Sequence, residues 1–94
     1  MDSVVIDGVV REAGALTEFE TRDGVKHDER EVVLETEERY PQVLLVRVVD
    51  AVAQAREWRV GDKVRAWLQF KARKSVKSER WFNDIRAWRV ETRN

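Results

Sequence analysis

Five short runs with alternating or mainly apolar residues lie along the chain, and each run has the length of a β-strand. The runs VVIDGVV, EREVVLET, QVLLVRVVD, KVRAWLQFK and WFNDIRAWRV begin at Val4, Glu29, Gln42, Lys63 and Trp81. They are rich in the β-branched and aromatic side chains that strands favour. The pattern therefore predicts five strands.

The segment AVAQAREW, between the third and fourth strands, departs from this two-residue period. Its alanines and glutamine favour a short helix, and Asp50 precedes it as a candidate N-cap. Three strands, a helix and two strands is the order of an all-β OB-fold, a five-stranded Greek-key barrel. An SH3-like barrel is the main alternative, but it has no place for this helix.

Turn residues divide the first half of the chain. Gly8 interrupts the first apolar run, which predicts a bulge or a tight bend there. The polar connection before the second strand contains Asp23-Gly24, a turn pair. Because this connection is long for a bare loop, we expect part of it to form a small hairpin.

Alternation also assigns faces to the strands. In the second strand, Val32 and Leu34 are expected to point inward. In the fourth strand, Trp67 is expected to point outward, opposite an inward row formed by Val64, Ala66, Leu68 and Phe70.

The last strand, residues 81–90, holds the most aromatic segment. Ile85 and Ala87 are its expected core positions, which leaves Phe82, Arg86 and Trp88 on the other side unless a bulge shifts the register. Trp58 is expected in the core and Trp81 against the barrel mouth.

Three segments resemble a known family. They are LETEERYPQ at residues 34–42, VGDKV at residues 60–64 and RWFNDIRAWRVE at residues 80–91. The family is an uncharacterised bacterial domain family, best represented in Bacteroidetes and their phages, whose members look like single-stranded DNA-binding proteins with an OB-fold. The resemblance spans nearly the whole chain and implies that fold and that function.

Length and composition limit the protein class. Ninety-four residues are enough for one domain, which we place at residues 1–94. The chain has no cysteine, so neither disulfides nor a thiolate zinc site are available. No apolar run is long enough for a signal peptide or a membrane span, and we therefore expect a cytoplasmic protein.

Charge is distributed unevenly along the chain, although the net charge is zero. Residues 1–64 contain nine Lys and Arg against fifteen Asp and Glu, whereas residues 65–94 contain nine against three. Such asymmetry favours a polyanionic partner for the basic half, although a merely polar molecule with two different ends is equally compatible with it.

The sequence contains no set of residues with the types and spacing of a catalytic site. The only histidine, His27, lies in a predicted loop without a second ligand or base at motif spacing, and we expect it to be solvated. The acidic clusters fit the solvent face of a strand, and the four glycines form no phosphate-binding loop. We therefore expect no enzyme activity, metal or cofactor.

Binding of single-stranded nucleic acid requires only a basic groove and aromatic side chains on which bases stack. The sequence predicts such a partner, DNA before RNA, with little sequence preference. The predicted contact residues are Lys26, Arg30, Arg47, Trp67, Lys71, Arg73, Lys74, Lys77, Arg80, Trp81, Arg86 and Trp88. The alternative is a protein-interaction or oligomerisation module of replication or recombination, in which an outward face with Trp67 and Trp88 contacts another chain or a second copy.

Overall fold

The computed structural model describes residues 4–55 and 57–93. Within these residues there are six strands and one short helix. The elements are β1 (Val4–Ala13), β2 (Thr17–Glu20), β3 (Lys26–Thr36), β4 (Val43–Val49), α1 (Ala51–Gln54), β5 (Lys63–Lys74) and β6 (Trp81–Thr92).

Five of the strands pair in a ring. Antiparallel pairings join β4 to β3, β3 to β1, β1 to β5 and β5 to β6. The last link is parallel and is made between β4 and β6 at Arg47 and Arg86. β2 lies outside the ring, paired only with β3. This is the Greek-key connectivity predicted from the sequence, with β2 as an additional strand.

The long first connection forms the expected small hairpin, in which β2 pairs with the start of β3. β3 therefore begins at Lys26, earlier than the predicted position 29. As a result, His27 lies in a strand and not in a loop, which corrects the prediction. It is partly buried, and its ring stacks on Phe19 with 5.2 Å between the ring centroids.

A bulge in β1 lies at Arg11, because Val10 pairs with Leu34 whereas Glu12 pairs with the neighbouring Val33. The prediction of a bulge or bend at Gly8 was therefore wrong. Gly8 is instead a point of close approach between strands, where a Cβ atom would lie 2.9 Å from the carbonyl oxygen of Glu35.

The core lies inside the ring and consists mainly of β-branched and small side chains, together with the predicted Trp58. Its buried residues are Val10, Val32, Leu34, Val46, Val48, Ala53, Trp58, Val64, Ala66, Leu68 and Ala87. Phe70, predicted to face inward, is 44% exposed. The reason is that β5 continues past its last described pairing with β1, at Leu68, and so leaves the core.

The helix is shorter than predicted. α1 ends at Gln54, and residues 57–59 have no regular structure, while residue 56 of the predicted helix lies outside the described residues. Asp50 occupies the N-cap position, but its side chain makes no capping hydrogen bond. Its carboxylate instead contacts His27 and Asp28 of β3.

Beyond the ring, β5 and β6 continue as a two-stranded extension, residues 70–85, which we name the arm. The strands remain paired up to Lys74 and Trp81, and residues 75–80 connect them. The molecule accordingly measures 40 Å along its longest axis and 26 and 24 Å along the others. Among the described residues, no helix has the length and apolar character needed to cross a membrane.

Candidate nucleic-acid interface

The tip of the arm is a turn stabilised by its own backbone hydrogen bonds. Ser75 N–H donates to Arg80 O at 2.8 Å, and Glu79 N–H donates to Ser75 O at 2.9 Å. Glu79 has a φ of 56°, an uncommon value for a residue other than glycine. The turn thus has a defined conformation and holds Val76 and Lys77 at the end of the arm.

Successive side chains of a strand point to opposite faces, and residues directly opposite each other in an antiparallel pair point to the same face. The paired residues of the arm therefore divide into two faces. Arg73 is opposite Phe82, and Lys71 is opposite Asp84, on what we name the groove face. Lys74 is opposite Trp81 on the reverse face, in the same row as Phe70 and Ala72.

A groove of about 240 Å³ lies between the groove face and strands β3 and β4. Leu45, 57% exposed, and Phe82, 47% exposed, form apolar walls. The charged lining side chains are Arg47 and Arg73 together with the carboxylates of Glu29, Glu31 and Asp84. A second cavity of about 380 Å³ lies next to it at the tip and includes Lys74, Val76 and the same Phe82. The groove therefore offers apolar surface next to charges of both signs, and the excess of positive charge lies on the arm beside it.

Cations without ion-pair partners are concentrated on and beside the arm. In residues 4–55 and 57–93, six cations there make neither an ion pair nor a side-chain hydrogen bond: Lys71, Arg73, Lys74, Lys77, Arg80 and Arg86. The only acidic residues in the arm are Glu79 and Asp84. The arm is therefore the part of the described surface where positive charge is least compensated.

Most other cations of the described chain are neutralised locally. Arg65 Nε donates to Asp7 Oδ1 at 2.7 Å, and Arg11 Nη1 to Glu35 Oε1 at 2.8 Å. The bond from Arg65 lowers the pKa of Asp7 below its usual value of 3.8, because it stabilises the ionised carboxylate. These pairs leave little free positive charge on the ring itself.

Arg47, predicted to contact phosphate, lies in the groove but has carboxylate partners on two strands. Its Nη2 donates to Asp84 Oδ2 at 2.6 Å, and its Nη1 donates to Glu29 Oε2 at 3.3 Å. A phosphate would have to compete with both carboxylates for this guanidinium group.

Lys26 and Arg30 do not line the groove. Lys26 lies in the β2–β3 hairpin, 3.7 Å from Glu18 Oε1, and Arg30 Nη1 donates to the carbonyl oxygen of Gly14 at 2.6 Å. The structure thus brings together the predicted contact residues of the arm, with Arg86 at its base, but not these two.

The three tryptophans outside the core occupy different environments. Trp81 is 69% exposed on the reverse face, so its predicted place against the barrel mouth was wrong. Trp67 points outward as predicted, but it is half-buried under Arg89, whose guanidinium carbon lies 4.6 Å from the ring centroid. Trp88 lies next to α1, in a cavity lined also by Ala51 and Val52.

A bulge in β6 explains why Trp67 and Trp88 differ. Trp67 pairs with Arg89 and Leu68 pairs with Ala87, which leaves Trp88 as the extra residue. Arg89 therefore covers Trp67, and Trp88 borders the helix instead.

Residues 5–91 match the family described as a domain of unknown function, DUF3127. The chain belongs to this family. The resemblance found in the three segments is thereby confirmed, whereas the expected origin in Bacteroidetes and their phages stays a prediction. A search of curated protein sequences gives no match.

Solved structures confirm the OB-fold class of this DUF3127 domain. It is similar to the second OB-fold domain of replication protein A from Methanococcus maripaludis, with a TM-score of 0.72, 18% identity, and coverage of 96% of this chain and 82% of that chain. It is also similar to the SSB domain of a Synechococcus sp. protein, with a TM-score of 0.64, 25% identity, and coverage of 96% of this chain and 93% of that chain. For the single-stranded DNA binding protein from Thermus aquaticus, the TM-score is 0.66 and the identity 15%, with coverage of 100% of this chain and 50% of that chain.

Two groove residues of this DUF3127 domain were missed as contacts. Phe82 was placed on the correct face, but nothing in the sequence indicated that β4 diverges from β6 and opens a groove beside it. Leu45 lies in the run VLLVRVV, where apolar residues fill both faces, so alternation could not identify it as exposed.

Proposed function

We propose that this protein binds single-stranded nucleic acid, DNA before RNA, without catalysis and with little sequence preference, in the cytoplasm. The observation that carries the proposal is the set of cations without ion-pair partners on and beside the arm, next to exposed Phe82 and Trp81. Basic side chains along a groove with aromatic residues within it are the two components of single-strand binding sites.

In the proposed complex, the phosphates lie along the arm cations, and a base stacks on Phe82 between the arm and Leu45. Trp81 offers a further stacking surface at the tip. Base stacking on an aromatic ring is worth roughly 1–3 kcal/mol and tolerates any base, because every base has a π-face. Little sequence preference follows, since stacking and phosphate contacts dominate such a site.

The comparisons support this proposal in one respect. The similar SSB domain from Synechococcus sp. and the single-stranded DNA binding protein from Thermus aquaticus share the fold of this chain. Since one fold serves many functions, the arm and its groove carry the proposal.

Tryptophan fluorescence titration tests the proposal, because stacking of bases on Trp81 changes its emission. We expect an oligo-dT of about thirty nucleotides to change the signal saturably at low salt, and the affinity to fall as salt rises. Phe82→Ala should weaken binding about tenfold, whereas Tyr40→Ala, which removes another exposed aromatic ring, should not. A flat titration confirmed by an independent binding assay would overturn the proposal.

A protein interface is the second candidate, favoured by the apolar surface outside the arm. Val5, half-exposed on β1, lies opposite Trp67, and Trp88 is 44% exposed. Size-exclusion chromatography of Trp67→Ala and Trp88→Ala separates the two functions. A smaller oligomer with unchanged DNA binding would assign this surface to a second copy, and an unchanged elution volume would exclude self-association through it.

A further inference from the structure

Each face of the arm carries its own aromatic side chain and its own cation. The groove face has Phe82 opposite Arg73, and the reverse face has Trp81 opposite Lys74. Both aromatic rings are substantially exposed, Trp81 more than Phe82. A single strand that lies in the groove uses one face, so the reverse face remains available for a second strand.

The apex of the arm is apolar, although its surroundings are basic. Val76 is 96% exposed, and Lys74 and Lys77 flank it. Hydrogen bonds within the turn hold this side chain at the end of the arm. The end of a nucleic-acid duplex has a complementary surface, because the terminal base pair exposes an apolar stacking face surrounded by phosphates. Apolar side chains also act as wedges on stacked bases in other complexes, where they insert between base steps and partly unstack them.

The described structure leaves both sides of the arm accessible. β1 pairs with β5 no further than Leu68, and β4 pairs with β6 only at Arg86. The arm can therefore enter the angle between two strands that diverge from a duplex. Its free cations on both faces match the phosphates of the two strands.

We propose that the arm binds the branch point of forked DNA, with one strand on the groove face, the other on the reverse face, and Val76 against the terminal base pair. This inference rests on the proposed single-strand binding and adds its preferred substrate. Recognition is by shape and charge, so the sequence at the junction is immaterial.

Fluorescence anisotropy compares two labelled DNAs of equal duplex length and equal total single-stranded length. One is a fork with two tails, and the other has a single tail. We expect the protein to bind the fork about tenfold more tightly, the contribution of one additional stacked base. Trp81→Ala removes the second face and should reduce this ratio to about one. Equal affinities of the unmodified protein for the two DNAs would overturn the proposal.

A matched pair of valine variants tests the apex. Val76 and Val60 are both exposed valines in turns, and Val60, 72% exposed, lies outside the arm. With 2-aminopurine in the terminal base pair of the fork, we expect its fluorescence to rise on binding of the unmodified protein and Val60→Ser, but not of Val76→Ser. Equal responses of the two variants would disprove the wedge.

Oligo-dT binding, measured on the same proteins, separates this inference from the proposed function. Oligo-dT binding without a fork preference would overturn only the branch-point proposal. Absence of binding to oligo-dT and to both tailed DNAs would overturn the two proposals together.

Discussion

Asp50 lies between β4 and α1 with φ 50° and ψ −120°, a conformation that is costly for a residue with a Cβ atom. Three contacts compensate for this cost. Its Oδ2 lies 2.7 Å from His27 Nδ1, its Oδ1 accepts from Asp28 N–H at 3.0 Å, and its own N–H donates to Asp28 O at 2.8 Å. Asp50 thereby joins the β2–β3 hairpin to the start of the helix.

These contacts lower the pKa of Asp50 below its usual value of 3.8, first because of the hydrogen bond with His27 and then because of the Asp28 N–H group. A carboxyl group with a lowered pKa in the folded state stabilises the fold above its unfolded pKa and loses this contribution as pH falls through its folded pKa. We therefore expect Asp50→Asn to lower the melting temperature at pH 7, where the carboxylate is charged, and to have a shrinking effect below about pH 3.8.

Thermal unfolding followed by circular dichroism across this pH range measures the difference. The amide in Asp50→Asn can still accept from Asp28 N–H, so the pH-dependent part of the difference reports the negative charge of the carboxylate, which His27 and the Asp28 N–H group stabilise. A difference in melting temperature that stays constant down to acid pH would contradict the assignment.

At the scale of elements, β1 is the strand that connects the two halves of the ring. Its first half pairs with β5 and its second half with β3, and both Gly8 and Val9 pair with the two neighbouring strands. The absence of a side chain at Gly8 permits the close approach of β3, because the carbonyl of Glu35 occupies the space of a Cβ atom.

We expect Gly8→Ala to reduce the free energy of unfolding by about 1–3 kcal/mol, since the strands must separate to admit the methyl group. Glu12→Ala, on the exposed surface of the same strand, should change it by less than about 0.5 kcal/mol. Urea denaturation measures both variants. If Gly8→Ala is as stable as the unmodified protein, Gly8 does not govern the approach of β1 to β3.

The alternation of apolar and polar residues predicted the strands better than it predicted which of their faces are buried. It assigned inward residues in β5 correctly up to Leu68 and failed at Phe70, since it defines a face but not whether another layer covers that face. It left the register at Trp88 open, because a bulge depends on the partner strand. The helix was predicted too long at its C-terminal end, since propensity does not report tertiary contacts such as that of buried Trp58, whose Nε1–H donates to Ala53 O at 3.3 Å.

The candidate site was predictable where the residues lie close together in the sequence. The cations of the arm lie close together in the sequence, between Lys71 and Arg80, so the sequence alone predicted a basic segment. The partners of Arg47 were not, because Glu29 and Asp84 lie 18 and 37 residues away along the chain. Which basic residues are neutralised depends on the fold, and composition alone cannot show it.

For the whole molecule, a net charge of zero conceals this separation between paired and free cations. Arg11 pairs with Glu35 and Arg59 with Glu57, whereas Lys74 and Lys77 have no acidic partner in the described chain. The field that attracts a polyanion therefore arises from the arm, although the charge count alone gives no preference for nucleic acid.

The salt dependence of DNA binding distinguishes free from paired cations. Each phosphate contact on a single strand contributes about 0.7 to the slope of log K against log salt concentration. We expect the double variant Lys74→Gln, Lys77→Gln to reduce the magnitude of this slope by about 1.4, since two phosphate contacts are lost. The control Arg11→Gln, Arg59→Gln changes the net charge equally but removes cations already engaged by carboxylates, and its slope should stay unchanged. If both double variants lower the slope equally, phosphate binding follows the total charge and the arm has no special part in it.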